Sequence, residues 1–149
     1  MESLLESISE PQEIQNFNLI ELTQLAQECR QRIIEVTSKC GGHLASSLGT
    51  VEITVALLKN FDFSIDRLVW DVGHQGYAYK ILTGRNKNFD TLGKFGGIKK
   101  FLSRDESSYD HFGAGHASTS ISAALGMAIG RDLQKKKHRV VSVIGDGAL

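Results

Sequence analysis

A chain of 149 residues with 41% hydrophobic side chains has the length of about one domain and enough apolar content for a core of its own. Its 17 basic and 17 acidic residues cancel, which argues against a nucleic-acid partner, and no apolar run is long enough to span a membrane. There is no secretory signal pattern, and the two cysteines, Cys29 and Cys40, predict a reducing, cytoplasmic setting rather than a disulfide scaffold.

Residues 1–18 are polar with scattered apolar positions and predict an arm or short helix that docks on the larger part, residues 19–149. From Leu19, the positions Leu22, Leu25, Cys29, Ile33, Val36 and Cys40 recur at helical spacing, and Gly41-Gly42 stop the helix. At a rise of 1.5 Å per residue the two cysteines lie roughly 16 Å apart on that stripe, too far to pair. A second helix is predicted over 50–60, a buried strand over 68–72, and a helix over 77–83. Residues 84–113 have weak periodicity and several glycines, and predict a long, functional loop. An amphipathic helix follows from Ser118 with lysines in its last turns. The β-branched run 139–144 predicts a strand of a parallel sheet covered on both faces. Alternating helix and strand argue for a layered α/β domain, one parallel sheet with helices on both faces. The run Lys135, Lys136, Lys137, His138 and Arg139 reads as a solvated helix end rather than a phosphate-contacting patch.

The chemistry gathers at turns beyond strand ends, where α/β sheets hold ligands. His74 follows a strand directly, with Gly73 expected to leave room for a ligand. Gly113, Gly115, His116 and Ala117 precede a helix whose first amides are placed to face an anion. Asp146 leaves a strand between two glycines, where it is either part of a tight turn or a ligand for a hard divalent cation bridging to a diphosphate. His43 follows two glycines at a helix end, beside Ser46 and Ser47, and two readings stand: a proton shuttle or a cap on the last carbonyls. A dinucleotide fingerprint is absent, because Ser118 replaces the third glycine of "FGAGHAS" and no buried strand precedes it. The P-loop pattern is absent too, and the histidines lack zinc-ligand spacing.

Taken together, "GGHLASSLGTVE", "WDVGHQGYAYKILTGR", "YDHFGAGHASTSISAALGMA" and "VIGDGA" resemble, in order from Leu19 to Leu149, the N-terminal part of the 1-deoxy-D-xylulose-5-phosphate synthase family. The resemblance implies a thiamine-diphosphate-binding fold. It also implies a transferase that joins pyruvate to glyceraldehyde 3-phosphate with loss of carbon dioxide, feeding isoprenoid (terpenoid), thiamine and pyridoxal biosynthesis. The implied cofactors are thiamine diphosphate (thiamine pyrophosphate) and magnesium, and the implied complete enzyme is a cytoplasmic homodimer.

By the same resemblance Asp146 holds magnesium. Gly147 and Ala148 contact the cofactor, Gly115, His116 and Ala117 line its diphosphate, Ser46 lies beside the diphosphate, His74 contacts the cofactor, and His43 assists proton transfer. Residues 19–149 then form the diphosphate-side domain as far as the Gly-Asp-Gly motif. The family's second metal ligand and its pyrimidine-binding domain belong beyond Leu149, so the expectation is an enzyme fragment that gives no product alone. Two other readings are a subunit of a split transketolase-type enzyme and a non-catalytic binding or regulatory module. The polar groups retained at strand ends argue against the last.

Overall fold

A computed structural model describes residues 3–149 and divides the chain into two compact units, Met1–Phe61 with His74–Lys100, and Asp62–Gly73 with Phe101–Leu149. The first unit is helical. A short helix α1 (Leu4–Ser7) and a 3-10 turn (Pro11–Asn16) occupy the predicted arm, and α2 (Leu19–Cys40), α3 (Leu44–Leu48) and α4 (Val51–Asn60) follow.

Helix α2 starts where local chemistry dictates. The Asn18 side chain accepts from the amides of Ile20 at 2.9 Å and Glu21 at 3.1 Å, and Glu21 accepts in return from the Asn18 amide at 2.7 Å. This reciprocal cap satisfies donors the helix cannot and is worth about 1 kcal/mol. The helix ends at Gly41, whose φ of 70° suits a residue without Cβ and whose amide donates to Thr37 at 2.9 Å. Leu25, Cys29, Ile33 and Val36 are buried, as the spacing predicts. Burial pushes the Cys29 thiol up to about 12, whereas Cys40 is half-buried.

The arm is fastened to α2 by Glu28, which accepts from the Ser3 hydroxyl at 2.9 Å and the Leu5 amide at 2.8 Å at the start of α1. Lys59 of α4 donates to the carbonyls of Gln15 at 2.6 Å and Phe17 at 2.8 Å, closing the 3-10 turn. Helix α5 (Tyr77–Lys80) continues into a kinked π turn (Ile81–Arg85), where Thr83 and Gly84 leave helical geometry, and a 3-10 turn (Asn86–Thr91) follows. That last turn occupies the start of the stretch expected to be loop. Tyr77 and Phe89, both fully buried, meet edge to face at 5.7 Å.

The second unit carries the sheet: β1 (Arg67–Trp70) pairs in parallel with β2 (Val140–Val143), with Arg67 opposite Val140 and Trp70 opposite Val143. The predicted parallel pairing is present, and among the described residues the sheet has these two strands. Strand β1 ends before the predicted Val72, because Val72 (φ 57°) and Gly73 (φ 83°) turn the chain out of the extended region. A β-branched residue with positive φ is strained by about 1–3 kcal/mol. Strand β2 is half-exposed along its length rather than covered on both faces, and among the described residues only its β1 edge is paired.

Helix α6 (Ser120–Leu133) begins two residues after the expected Ser118, whose φ of 65° keeps it outside the helix. Within α6 only Ser120 is buried, and Ile121, Leu125, Ile129 and Leu133 form an apolar stripe that is 50–80% exposed. The amphipathic pattern is therefore real, but its apolar face is open. No helix among the described residues is long and apolar enough to cross a membrane.

Candidate functional site

The residues singled out from the sequence divide between the two units: His43, Ser46 and His74 fall in the first, and Gly115, His116, Ala117, Asp146, Gly147 and Ala148 in the second.

In the first unit, the end of α2 and the start of α3 deliver His43. Gly42 has a φ of 146°, and a Cβ there would stand 2.8 Å from the Tyr77 hydroxyl, so the chain passes directly under the phenol. The His43 amide donates to that hydroxyl at 3.2 Å. His43 thus occupies the position before α3. The segment carrying His74 is held by two hydroxyls from the α3–α4 junction. Ser47, fully buried, donates to the His74 carbonyl at 3.1 Å, and Thr50 donates to the Gln75 carbonyl at 2.7 Å. The two imidazoles meet edge to face, centroids 5.4 Å apart at an interplanar angle of 77°. Burial, and after it the charge of His43, holds His74 below the usual histidine range, so its neutral form is favoured. Its Nδ1 is buried and has no hydrogen-bond partner among the described residues. Ser46, half-buried, donates to the His43 carbonyl at 3.5 Å and so belongs to the same turn.

In the second unit the two remaining turns are joined, because the Ser118 hydroxyl donates to the Ala148 carbonyl at 2.6 Å. Gly145, Asp146 and Gly147 are exposed around a 3-10 turn (Asp146–Ala148), and nothing lies within 4 Å of a Cβ placed on Gly115, Gly145 or Gly147. His116 and Ala117 are likewise exposed.

Two sequence expectations change here. The first amides of α6 are not all left for an external anion. Asp71, directly after β1, accepts from the Ser118 amide at 3.0 Å and the Ser120 amide at 3.0 Å, so an internal carboxylate takes the first amide of the helix. Burial alone would raise the Asp71 carboxyl, but hydrogen bonds from Ser120, Ser118 and Thr119 bring it below the usual range. Gly73 does not leave room for a ligand either, since a Cβ there would meet the Ala114 methyl at 2.6 Å. Its missing side chain serves packing of the chain on itself.

The sequence reading passed over Asp71, Tyr77 and Thr50 as builders of the site, and named Ser47 only as a neighbour of His43. A carboxylate placed directly after an apolar strand was the one available signal, for Asp71. As for metals, Asp146 is a single exposed carboxylate, and among the described residues no three His, Cys, Asp or Glu side chains converge to hold an ion. Magnesium takes about six oxygens, often from phosphate and water, so Asp146 fits as one ligand of such a set.

The family model of 1-deoxy-D-xylulose-5-phosphate synthase matches residues 5–149. The chain is 59% identical over all its 149 residues to the 1-deoxy-D-xylulose-5-phosphate synthase of Carboxydothermus hydrogenoformans. It is 57% identical over the same length to that of Clostridium botulinum strain Eklund 17B, and 56% to that of Lawsonia intracellularis. It spans 24%, 24% and 23% of those proteins, about a quarter of each. With a family match over nearly its whole length and relatives of this identity, the chain belongs to the 1-deoxy-D-xylulose-5-phosphate synthase family.

Proposed function

We propose that the chain is the amino-terminal part of a thiamine-diphosphate-dependent transferase. The complete enzyme joins pyruvate to glyceraldehyde 3-phosphate, releases carbon dioxide and yields 1-deoxy-D-xylulose 5-phosphate, the first step of an isoprenoid pathway. The observation that carries this reading is the His43–His74 pair, two imidazoles 5.4 Å apart of which one keeps a buried Nδ1 without a partner among the described residues. An imidazole whose neutral form is favoured accepts a proton near neutral pH, and decarboxylative carbon–carbon bond formation of this kind requires such proton transfer.

Thiamine diphosphate, when bound, supplies the carbanion and the electron sink for cleaving and forming carbon–carbon bonds. The chain's own residues bind and orient. His74 would contact the cofactor, and His43 would move protons beside it. Ser46, Gly115, His116, Ala117, Gly147 and Ala148 take the diphosphate side, where the glycines let backbone amides approach phosphate oxygens closely. Asp146 supplies one oxygen to magnesium. In the complete enzyme the β1–β2 pair belongs to a layered parallel sheet with helices on both faces, residues 19–149 form the cofactor's diphosphate-side domain, and the enzyme works as a cytoplasmic homodimer.

The test substitutes this chain for the matching quarter of the Carboxydothermus hydrogenoformans protein and measures product from pyruvate and glyceraldehyde 3-phosphate with thiamine diphosphate and magnesium. The chimera is expected to turn over, His74→Ala to lower turnover by about 100-fold or more, and Asp146→Ala to raise the magnesium requirement. A folded chimera that neither binds thiamine diphosphate nor forms product, beside an unaltered protein that does both, overturns the reading.

A further inference from the structure

The second unit contains an open cleft of about 640 Å³ at the end of the sheet where β1 and β2 begin, opposite the Asp146 turn. Its walls bring together four cations from separate stretches of sequence: Arg67 at the start of β1, Arg104 in the loop that follows the first unit, Arg131 near the end of α6, and Lys136 before β2. The basic run 135–139, which the sequence assigned to solvent, therefore splits. Lys136 and His138 line the cleft, and Lys135 and Lys137 do not.

Two of the guanidiniums are anchored by backbone carbonyls. Arg67 donates through Nη1 to Ile65 at 2.7 Å and Asp66 at 3.0 Å, and Arg131 donates through Nη1 to His138 at 3.1 Å. Arg131 is also paired with Asp132 at 2.8 Å. Arg104 and Lys136 make no ion pair or side-chain hydrogen bond among the described residues. Besides Asp132, three acids sit nearby and each is engaged: Asp62 accepts from the Ser64 hydroxyl at 2.7 Å. Asp110 accepts from the Ser103 amide at 2.9 Å, and Asp66 from the Arg139 amide at 2.7 Å. His111, also in the wall, accepts from the Leu68 amide at 3.0 Å through Nδ1, a bond only the neutral ring accepts. Ser107 and Ser108 add hydroxyls to the wall, which Ser64, Met127, Gly130 and Gln134 complete.

We propose that this cleft is an anion site, distinct from the cofactor residues, that takes a phosphomonoester or diphosphate group. Planar guanidiniums already held in place, with an unpaired lysine and hydroxyl donors beside them, match the geometry by which proteins bind phosphate oxygens. The volume falls in the range of small-molecule sites, roughly 300–1,000 Å³. The cations also crowd one another. Partial burial, then the charges of Arg67, Arg131 and Lys136, hold His138 below the usual histidine range, and an arriving dianion relieves that repulsion.

The experiment is a histidine NMR titration of the 149-residue chain with inorganic diphosphate, at constant ionic strength set with sodium chloride. Expected are a saturable shift of the His138 ring signals, a His138 pKa that rises with occupancy, and an affinity about tenfold weaker or more in Arg104→Ala/Lys136→Ala, the equivalent of roughly 1.4 kcal/mol. Both substituted residues are exposed, so circular dichroism of the variant should match the parent. Signals of His43, His74 and His116 separate occupation of the proposed cofactor residues from occupation of this cleft. The proposal is overturned by a response that is linear and equal for chloride, by equal affinity in the folded double variant, or by movement of the cofactor-side histidines alone.

Discussion

The His43 amide donates to the Tyr77 hydroxyl at 3.2 Å, and that phenol stands where a side chain on Gly42 would be. One buried tyrosine therefore sets the height at which the end of α2 hands the chain to His43. Tyr77→Phe removes the acceptor and leaves the ring in place. The expected outcome is a loss of about 1 kcal/mol in denaturant unfolding, with weaker nuclear Overhauser contacts between the His43 and His74 rings. Unchanged ring contacts would show that the phenol does not position His43.

Asp71 ties the exit of β1 to the entrance of α6, and Asp71→Asn should cost about 1–3 kcal/mol, because the new amide faces donors with a donor. The sign with pH follows from a carboxyl held below its ordinary value of 3.8. Its contribution is full above that value and is lost as pH falls through the lower folded value. Acid unfolding curves of the parent should fall more steeply below about pH 4 than those of the variant.

Gly73→Ala meets two penalties at once, a φ of 83° and an approach of 2.6 Å to the Ala114 methyl. A loss of about 2–4 kcal/mol is expected, readable as a lower midpoint of thermal unfolding. Gly147→Ala, where nothing lies within 4 Å of the added carbon, should leave the midpoint nearly unchanged.

His111 is kept below its ordinary value of 6.5 by burial and then by the Arg67 charge, and it serves as a neutral acceptor for the Leu68 amide. Folding is therefore best supported by this ring above pH 6.5 and less so as pH drops, since the unfolded chain takes up the proton first. His74 and His138 shift in the same direction and add to the slope. His111→Phe should lose about 1–3 kcal/mol at pH 8 and give a shallower decline between pH 6.5 and 5 than the parent.

What was legible in the sequence is what short-range chemistry determines. Helix α2 was readable because its stripe from Leu25 to Val36 repeats at helical spacing and Gly41 stops it within a turn, while the Asn18–Glu21 cap emerged only in the structure. The parallel pairing of β1 and β2 followed from helix alternating with strand. Asp71 was not readable as a cap, because its partners lie 47 and 49 residues downstream. Gly73 announced a missing side chain without saying what comes close, and that neighbour is Ala114 rather than a ligand. Periodicity marked Ile121, Leu125, Ile129 and Leu133 as one face of α6, but it carries no information on what covers that face. Lys136 and His138 looked like solvent-facing charge because Arg67 and Arg104, which share their cleft, are remote in sequence.

The unequal burial of the two cysteines makes one position chemically addressable. Cys29 is inaccessible and its thiol holds its proton to about 12, while Cys40 reaches the surface three residues before His43. A thiol-reactive fluorophore or spin label added near neutral pH will attach at the carboxyl end of α2 alone, with no engineered cysteine, and report on movement beside the histidine pair as small molecules are added.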